Sequence, residues 1–201
     1  MTISQSIRQR IYGYKPGELF TSESFLTLGS RTAIDKTLSR LVEKKEIERI
    51  ARGVFTKPKV NRFIGKVYPD ITKVVEIITN QNGETIQVHG AEAIRRFKLS
   101  TQMPTNLVYY TSGSSRQIRI GNRKVKLIHT SNQRKLQCAG TKVGMAISAL
   151  WYLGKEAVTS STVEQIRNLM SEEEFSLLKT CKLPAWMSSA IQHANRETVH
   201  G

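Results

Sequence analysis

The residues of this chain that are best suited to chemistry are basic and hydroxyl side chains of the kind that hold a polyanion. Arginine and lysine make charge-assisted hydrogen bonds to phosphates and to base edges, and threonine and serine add neutral hydrogen bonds. Within residues 31–57 the candidates for DNA contact are Arg31, Thr32, Lys36, Ser39, Arg40, Arg52 and Lys57. Their types indicate binding and not the making or breaking of bonds.

Patterns for catalysis or metal binding are weak. Gly29-Ser30 followed by Asp35 is similar to the start of a nucleotidyltransferase metal motif, but no second carboxylate stands nearby to complete a divalent-ion site. The four histidines and two cysteines lack metal-ligand spacing. We therefore expect no enzyme activity, no catalytic residue, no metal and no cofactor, and we interpret Cys138 and Cys181 as buried free thiols.

The candidate DNA contacts fall in a segment, residues 18–58, that reads as a helix-turn-helix followed by a β-hairpin wing. Ser30 is a good N-cap behind Gly29, and apolar residues then recur at helical spacing from Ile34 to Val42. This spacing leaves Lys36 and its polar neighbours on the opposite, solvent-facing side. We expect that side to enter a major groove.

The elements around this helix complete a small domain. A shorter helix carrying Phe25 should precede it, and the spacing of isoleucines predicts a first helix over residues 3–12. Two strands are expected over 47–50 and 54–57, joined at Arg52-Gly53, where glycine can take a positive φ. Arg52 would then project from the wing tip toward a minor groove or a phosphate.

Composition agrees with a nucleic-acid or acidic partner. The 201 residues carry a net charge of +15, and residues 1–69 hold 14 basic against 6 acidic side chains. Such an excess favours polyanions over neutral small molecules. The absence of a long apolar run and of an apolar core in the N-terminal residues leads us to expect a cytoplasmic protein without membrane association.

The rest of the chain predicts a second domain. Helical and strand periodicity both lapse over 61–69, so we place a winged helix-turn-helix domain at 1–66 and an α+β domain at 67–201. Strands are expected over 85–88, 106–111, 116–120 and 124–129, the last three as a meander with a hairpin turn at 112–115, and helices follow. The fold class is α+β, with a small β-sheet and C-terminal helices.

A long segment of this second domain carries charge of one sign. No acidic residue occurs after Glu92 until Glu156, although ordinary surfaces mix signs. We therefore expect an anionic partner there. The candidate residues are Arg95, Arg96, Arg116, Arg119, Arg123, Lys124 and Lys126.

Three segments carry a resemblance to a known family. They are residues 51–58 (ARGVFTKP), residues 100–104 (STQMP) and residues 109–113 (YYTSG) ahead of an arginine-rich stretch. Together they resemble the AbiEi-type antitoxins of type IV toxin-antitoxin systems, in the DUF6088-like branch, over nearly the whole chain. The resemblance implies a phage-defence operon, with a winged helix that represses its own operon at inverted repeats. It also implies a C-terminal domain that counteracts a nucleotidyltransferase-like toxin, directly or functionally.

Two other interpretations remain open from the residues. The chain could be a winged-helix transcriptional regulator whose C-terminal domain dimerises or senses a ligand. It could instead be an RNA-binding protein or a nucleic-acid enzyme, as the acid-free basic segment suggests. Operator DNA, a toxin and RNA are thus the partners considered.

Overall fold

The structure, a computed structural model, describes residues 2–63 and 65–197, with side chains described to residue 193. Contacts divide the chain into two compact units. The first comprises the residues up to Gln81 together with Arg119–Arg123, and the second comprises the remainder. Helices and small sheets occur in both parts, so the chain is mixed α+β.

The first unit begins with helices around one apolar core. Its elements are α1 (Ile3–Gly13), β1 (Leu19–Thr21), a 3-10 helix (Ser22–Leu28), α2 (Arg31–Glu43), β2 (Glu48–Ala51) and β3 (Val54–Thr56). The predicted first helix and the predicted start of α2 at Ser30 are confirmed. The intervening helix is 3-10 and has no side-chain N-cap bond, in keeping with its weak helix formers Ser22, Ser24 and Thr27.

The core of the first unit consists of the helical residues that the periodicity selects. Ile34 and Leu38 of α2 are fully buried together with Ile7 of α1 and Phe25 of the 3-10 helix. The ring of Phe20 lies edge-on to that of Phe25, with centroids 5.8 Å apart. Burial of each of these four large apolar side chains contributes roughly 1.5–3 kcal/mol. Packing therefore stabilises the three helices more than their intrinsic helical propensity does.

The first unit also contains a three-stranded antiparallel sheet with the strand order β1-β3-β2. Phe20 pairs with Phe55, and Arg49 pairs with Phe55 from the other side before a register shift at Ala51. Gly53 has φ +75°, so the predicted positive φ at the bend is confirmed. Its carbonyl accepts a 3.1 Å hydrogen bond from Ser22 N–H, which ties the hairpin turn to the start of the 3-10 helix.

A short pair of strands and a helix follow in the first unit. Strands β4 (Val60–Asn61) and β5 (Gly65–Lys66) form a small antiparallel pair in a segment where we expected no regular structure. A two-residue strand is too short to show alternation in sequence, which explains the omission. Helix α3 (Ile71–Gln81) follows Asp70, whose Oδ1 accepts from Thr72 N–H at 2.8 Å.

The second sheet is not the predicted meander. Its strands are β6 (Ile86–Val88), β7 (Leu107–Thr111), β8 (Arg116–Ile120) and β9 (Arg123–His129), and their order is β6-β7-β9-β8. Strand β9 lies parallel to β7, with Tyr110 opposite Ile128 and Thr111 opposite His129. The four strands lie where the sequence predicted them, but the alternation of apolar residues does not encode which strand lies beside which.

The link from β7 to β8 is correspondingly not a hairpin turn. Because β9 lies between these strands, residues 112–115 pass the carboxyl end of β9. Ser115 Oγ accepts from His129 N–H at 2.8 Å, and the His129 ring nitrogen Nδ1 lies 2.8 Å from Gly113 O. These contacts hold the link against the strand that separates β7 from β8.

Helices make up the rest of the second unit. They are α4 (Gly90–Arg96), a 3-10 helix (Gln133–Lys135), α5 (Lys142–Leu153), α6 (Ser160–Arg167), α7 (Glu172–Thr180) and α8 (Ala185–Glu197). Ser171 and Glu174 form a capping box at the start of α7. Helix α5 is buried over most of its circumference and forms the centre of the core with Phe175 and Met187. None of the helices that the structure describes is both long enough and apolar enough to cross a membrane.

Candidate nucleic-acid interface

The exposed side of α2 forms an open depression lined mostly by predicted DNA-contact residues. Ser30 Oγ accepts from Ala33 N–H at 3.4 Å and sets where the helix begins. With Ile34 and Leu38 directed into the core, the polar residues face outward. The depression is lined by Thr32, Asp35, Lys36, Ser39, Arg40 and Glu43.

Acidic side chains reduce the positive charge of this depression. Arg31 Nε lies 3.3 Å from Asp35 Oδ2, and both side chains are about half exposed, at 52% and 53%. An exposed pair of this kind contributes roughly 0.3–0.5 kcal/mol, so a phosphate can replace the carboxylate at little cost. Lys36 and Arg40 are exposed and are the main cations of the depression.

Arg52 and Lys57 lie elsewhere in the first unit. Arg52 is exposed at the turn between β2 and β3, beside Gly53. Lys57 is half-buried, and its Nζ donates to the carbonyl of Tyr12 at 3.3 Å. It lines a separate depression with Arg8 and Glu46, so the structure does not bring it into the α2 depression.

In the second unit, Arg95 and Arg96 share one internal carboxylate. Arg95 Nε lies 2.7 Å from Glu92 Oε2, and Arg96 Nε lies 2.9 Å from Glu92 Oε1. The Glu92 side chain is only 10% exposed. Hydrogen bonds from Arg95 and Arg96 hold the pKa of Glu92 below its ordinary value, against the effect of burial. Glu92 engages both guanidinium groups and neutralises one of their two positive charges within the unit.

Arg116 is likewise engaged by an acidic residue. Its Nη1 lies 2.9 Å from Glu84 Oε2, which also accepts from Thr111 Oγ1 at 2.8 Å. Arg116 Nη2 is buried and has no hydrogen-bond partner among the residues that the structure describes. This residue therefore organises the link after β7 and is not freely available to a partner.

The other four candidates of the second sheet are exposed. Lys124 and Lys126 alternate along β9 with the fully buried Val125 and Leu127, so the two lysines share one face of the strand. Within the described part of the chain no acidic side chain forms an ion pair with any of the four. They are Arg119, Arg123, Lys124 and Lys126.

An aromatic and basic cluster lies on the same face of the sheet, and the sequence did not indicate it. Tyr110 shares this face with Lys126, because Val108 is the register partner of Lys126 and lies two residues from Tyr110. Lys135 Nζ lies 5.0 Å from the ring centroid of Tyr110 and 5.2 Å from that of Trp151. These residues are too far apart in the chain for spacing to reveal them.

His89 joins this cluster through ring contacts. Its centroid lies 5.1 Å from that of Tyr110 and 5.5 Å from that of Tyr152. Burial, reinforced by the charge of Lys135, lowers the pKa of His89. The neutral ring is the form that caps α4, because His89 Nδ1 accepts from Ala91 N–H at 3.3 Å.

A second group that sequence reasoning missed surrounds the β4–β5 pair. Phe63 is 85% exposed and Tyr68 is 61% exposed. Arg62 lies over the Phe63 ring at 5.4 Å, and Lys66 over the Tyr68 ring at 4.8 Å. Aromatic residues interleaved with basic ones are typical of nucleic-acid-binding surfaces. The sequence contains this pattern, so it could have indicated the group.

Among the described residues there is no group of three or more His, Cys, Asp or Glu side chains placed to hold a metal ion.

The comparisons with known proteins identify a family match. A model of the family described as "Family of unknown function (DUF6088)" matches residues 6–178. Among curated proteins, none matches the chain.

Proposed function

This chain belongs to the DUF6088 family, and we propose that it is an antitoxin that represses its own operon. In this proposal the first unit is a winged helix that binds operator DNA, and the second unit neutralises a nucleotidyltransferase-like toxin of the AbiEi type.

The order and packing of the first unit support the winged-helix assignment. Helix α1, the 3-10 helix and α2 share one core, and the β2–β3 hairpin pairs with the preceding strand β1. A helix-turn-helix followed by a hairpin is the arrangement in which the second helix enters the major groove. The hairpin turn, with Arg52 exposed, would then contact the flanking backbone or minor groove.

The observation that carries the DNA-binding proposal is the α2 depression. Lys36 and Arg40 face solvent on the same side of a helix whose opposite side is fixed in the core. Arg31 reaches the same side near the N-terminus of α2, where it forms an exposed ion pair with Asp35. These side chains are the ones a major groove would meet, with Thr32 and Ser39 as hydroxyl donors between them.

A footprinting experiment on the upstream region of the operon tests whether α2 binds operator DNA. The wild-type protein should protect an inverted repeat, and replacement of Arg31, Lys36 and Arg40 together by Ala should abolish the protection. Circular dichroism of the triple variant provides the control for folding, because all three side chains are exposed. Unchanged protection by a folded triple variant would exclude α2 as the groove-binding helix.

The exposed cations of β9 support a role in engaging an acidic surface of the toxin. Lys124 and Lys126 lie side by side on one face of the strand without internal acidic partners among the described residues. Since Arg95, Arg96 and Arg116 are engaged by Glu92 and Glu84, these lysines are the better candidates.

A pull-down of the toxin tests whether Lys124 and Lys126 contribute specifically to its binding. Lys124→Glu combined with Lys126→Glu should reduce capture of the toxin encoded beside this gene and the rescue of growth. The matched control is Lys155→Glu together with Lys179→Glu, which makes the same charge change at other exposed positions of the second unit. Equal loss of capture in both double variants would indicate non-specific charge attraction and would contradict the assignment.

The aromatic cluster beside these lysines favours a second candidate, the binding of single-stranded RNA. Aromatic rings next to cations are typical of surfaces on which bases stack. Tyr110 and Trp151 lie beside Lys135 on the face that carries Lys126. Binding of a labelled single-stranded RNA that is lost in Trp151→Ala, with toxin capture retained, would favour this candidate over a toxin-binding face.

A further inference from the structure

The two cysteines, which are 43 residues apart in the chain, lie side by side in the second unit. Cys138 Sγ is 3.9 Å from Cys181 Sγ, and both side chains are partly exposed. Cys138 precedes α5, and Cys181 follows directly after α7. Both side chains pack against the helical core. Both cysteines are free thiols, as the sequence predicted, but each is only partly buried.

A neighbouring side chain holds the two cysteine-bearing segments together. Gln137 Nε2 donates to the carbonyl of Lys182 at 3.0 Å, and Gln137 Oε1 accepts from Lys182 N–H at 2.9 Å. This paired contact joins the residue before Cys138 to the residue after Cys181. The contact of Gln137 with the backbone of Lys182 therefore holds the two sulfurs near each other.

The backbone of Cys138 is also fixed. Its φ is +50°, an unusual conformation for a residue other than glycine. Its carbonyl accepts from Thr141 N–H at 3.1 Å and from Thr141 Oγ1 at 2.6 Å. A Cβ at position 144 would stand 2.3 Å from that carbonyl oxygen, so Gly144 permits the close approach of α5. The direction of the Cys138 side chain is thus set by contacts on both sides.

From this geometry we propose that Cys138 and Cys181 are a reversible disulfide site that is oxidised by a small disulfide such as oxidised glutathione. Closing a bond of about 2.05 Å requires the sulfurs to approach by roughly 2 Å, a movement that side-chain rotation and small loop shifts allow.

The exchange proceeds in two balanced steps. The Cys138 thiolate attacks one sulfur of the oxidant, breaks its S–S bond and releases one glutathione thiolate. Cys181 then loses its proton, attacks the Cys138 sulfur of the mixed disulfide and releases the second glutathione thiolate. The two protein sulfurs are oxidised, the oxidant's disulfide is reduced, and the two thiol protons end on the two glutathione molecules.

Cys138 is assigned as the first nucleophile because of the surroundings of Cys181. Burial, followed by the neighbouring Cys138, raises the pKa of Cys181 to about 11. Cys181 is therefore nearly all thiol at neutral pH, which suits it to the second, intramolecular step. Oxidation should consequently become faster as the pH rises above neutrality.

The bond would connect the segment before α5 to the residue after α7, and it would restrict the unfolded chain. By loop-closure entropy, a crosslink across this separation should raise the melting temperature of the second unit by roughly 10 °C. The redox state of the two thiols would then set the stability of the helical half of this unit.

Equilibration of the purified full-length protein with reduced and oxidised glutathione, followed by maleimide labelling and intact-mass analysis, tests the proposal. We expect an internal disulfide, seen as the loss of two hydrogens and of both labelling sites, together with a higher melting temperature. Cys138→Ser and Cys181→Ser are matched controls, since each should retain the fold and show neither change. Full labelling under oxidation, or a glutathione adduct without an internal bond, would overturn the disulfide site. An internal bond without a rise in melting temperature would overturn its effect on stability.

Discussion

Arg116 Nη1 lies 2.9 Å from Glu84 Oε2, and both side chains are largely buried, with 27% and 11% exposed. The same carboxylate accepts from Thr111 Oγ1. This contact brings Glu84, two residues before β6, to the end of β7 and the start of β8, across 32 residues of chain. It organises the link that crosses the end of β9.

Removal of the Glu84 carboxylate should destabilise the second unit. Glu84→Ala leaves Arg116 with an uncompensated, partly buried charge and Thr111 without its acceptor, at an expected cost of about 2–3 kcal/mol in the free energy of unfolding. Chemical denaturation of purified protein measures this. Glu156→Ala, at an exposed position of the same unit, should change the value by less than about 0.5 kcal/mol. Equal effects of the two substitutions would refute the role of Glu84.

Acid should destabilise the second unit through Glu92. Its folded-state pKa is held below the ordinary value by Arg95 and Arg96, so the stabilisation is complete above the unfolded-state pKa of about 4.5. That stabilisation is lost as the pH falls through the lower, folded-state pKa. Melting temperatures between pH 7 and pH 3 should therefore decline less steeply in Glu92→Gln than in the wild type. Parallel curves for the two proteins would contradict the assignment.

Gly90 should not tolerate a side chain. A Cβ there would stand 2.1 Å from Tyr152 Cβ and 2.7 Å from the Ser148 carbonyl oxygen, so α4 and α5 would have to separate. We expect Gly90→Ala to cost about 1–3 kcal/mol, the usual range for overpacking. Gly13→Ala provides the comparison, because no neighbouring atom of the described residues lies within 4 Å of a Cβ at that position near the end of α1. The comparison variant should be neutral or slightly more stable by thermal melting.

Two lysines of the first unit should affect DNA binding differently. Lys36→Ala should weaken operator binding by about 1–3 kcal/mol and relax specificity, because Lys36 lies in the α2 depression where base edges would be met. Lys57→Ala should weaken all sequences alike and reduce the salt dependence of binding by about one unit, as expected for loss of one phosphate contact.

Fluorescence anisotropy on operator and scrambled duplexes at several salt concentrations distinguishes these outcomes. A loss of affinity in Lys36→Ala that is the same for both duplexes would show that Lys36 contacts only the backbone. Lys57 contacts the Tyr12 carbonyl and lies outside the α2 depression, so its removal should leave the side chains of that depression in place.

The sequence by itself determined the local elements of this protein. Ser30 and Ser171 begin helices because their hydroxyls satisfy backbone N–H groups within the next three residues, an interaction that is complete within one turn. Gly53 has the positive φ expected of its turn. The apolar spacing of α2 likewise identified Ile34 and Leu38 as core residues and Lys36 as exposed.

The ion pairs of the second unit differ in whether residue spacing along the chain could predict them. The acid-free stretch begins just after Glu92, and Glu92 pairs with both Arg95 and Arg96 at spacings of three and four residues. Helical periodicity over the preceding turn would have predicted these pairs. No spacing rule predicts the pairing of Arg116 with Glu84, because sheet formation alone brings them together.

Only the tertiary structure decided the strand order and the long-range neighbours. The placement of β9 between β7 and β8 and the proximity of Cys138 to Cys181 depend on how separate elements pack. The physical reason is that hydrogen-bonded caps and amphipathic periodicity act over a few residues, whereas the free energy that selects one packing arrangement is shared among side chains from the whole unit.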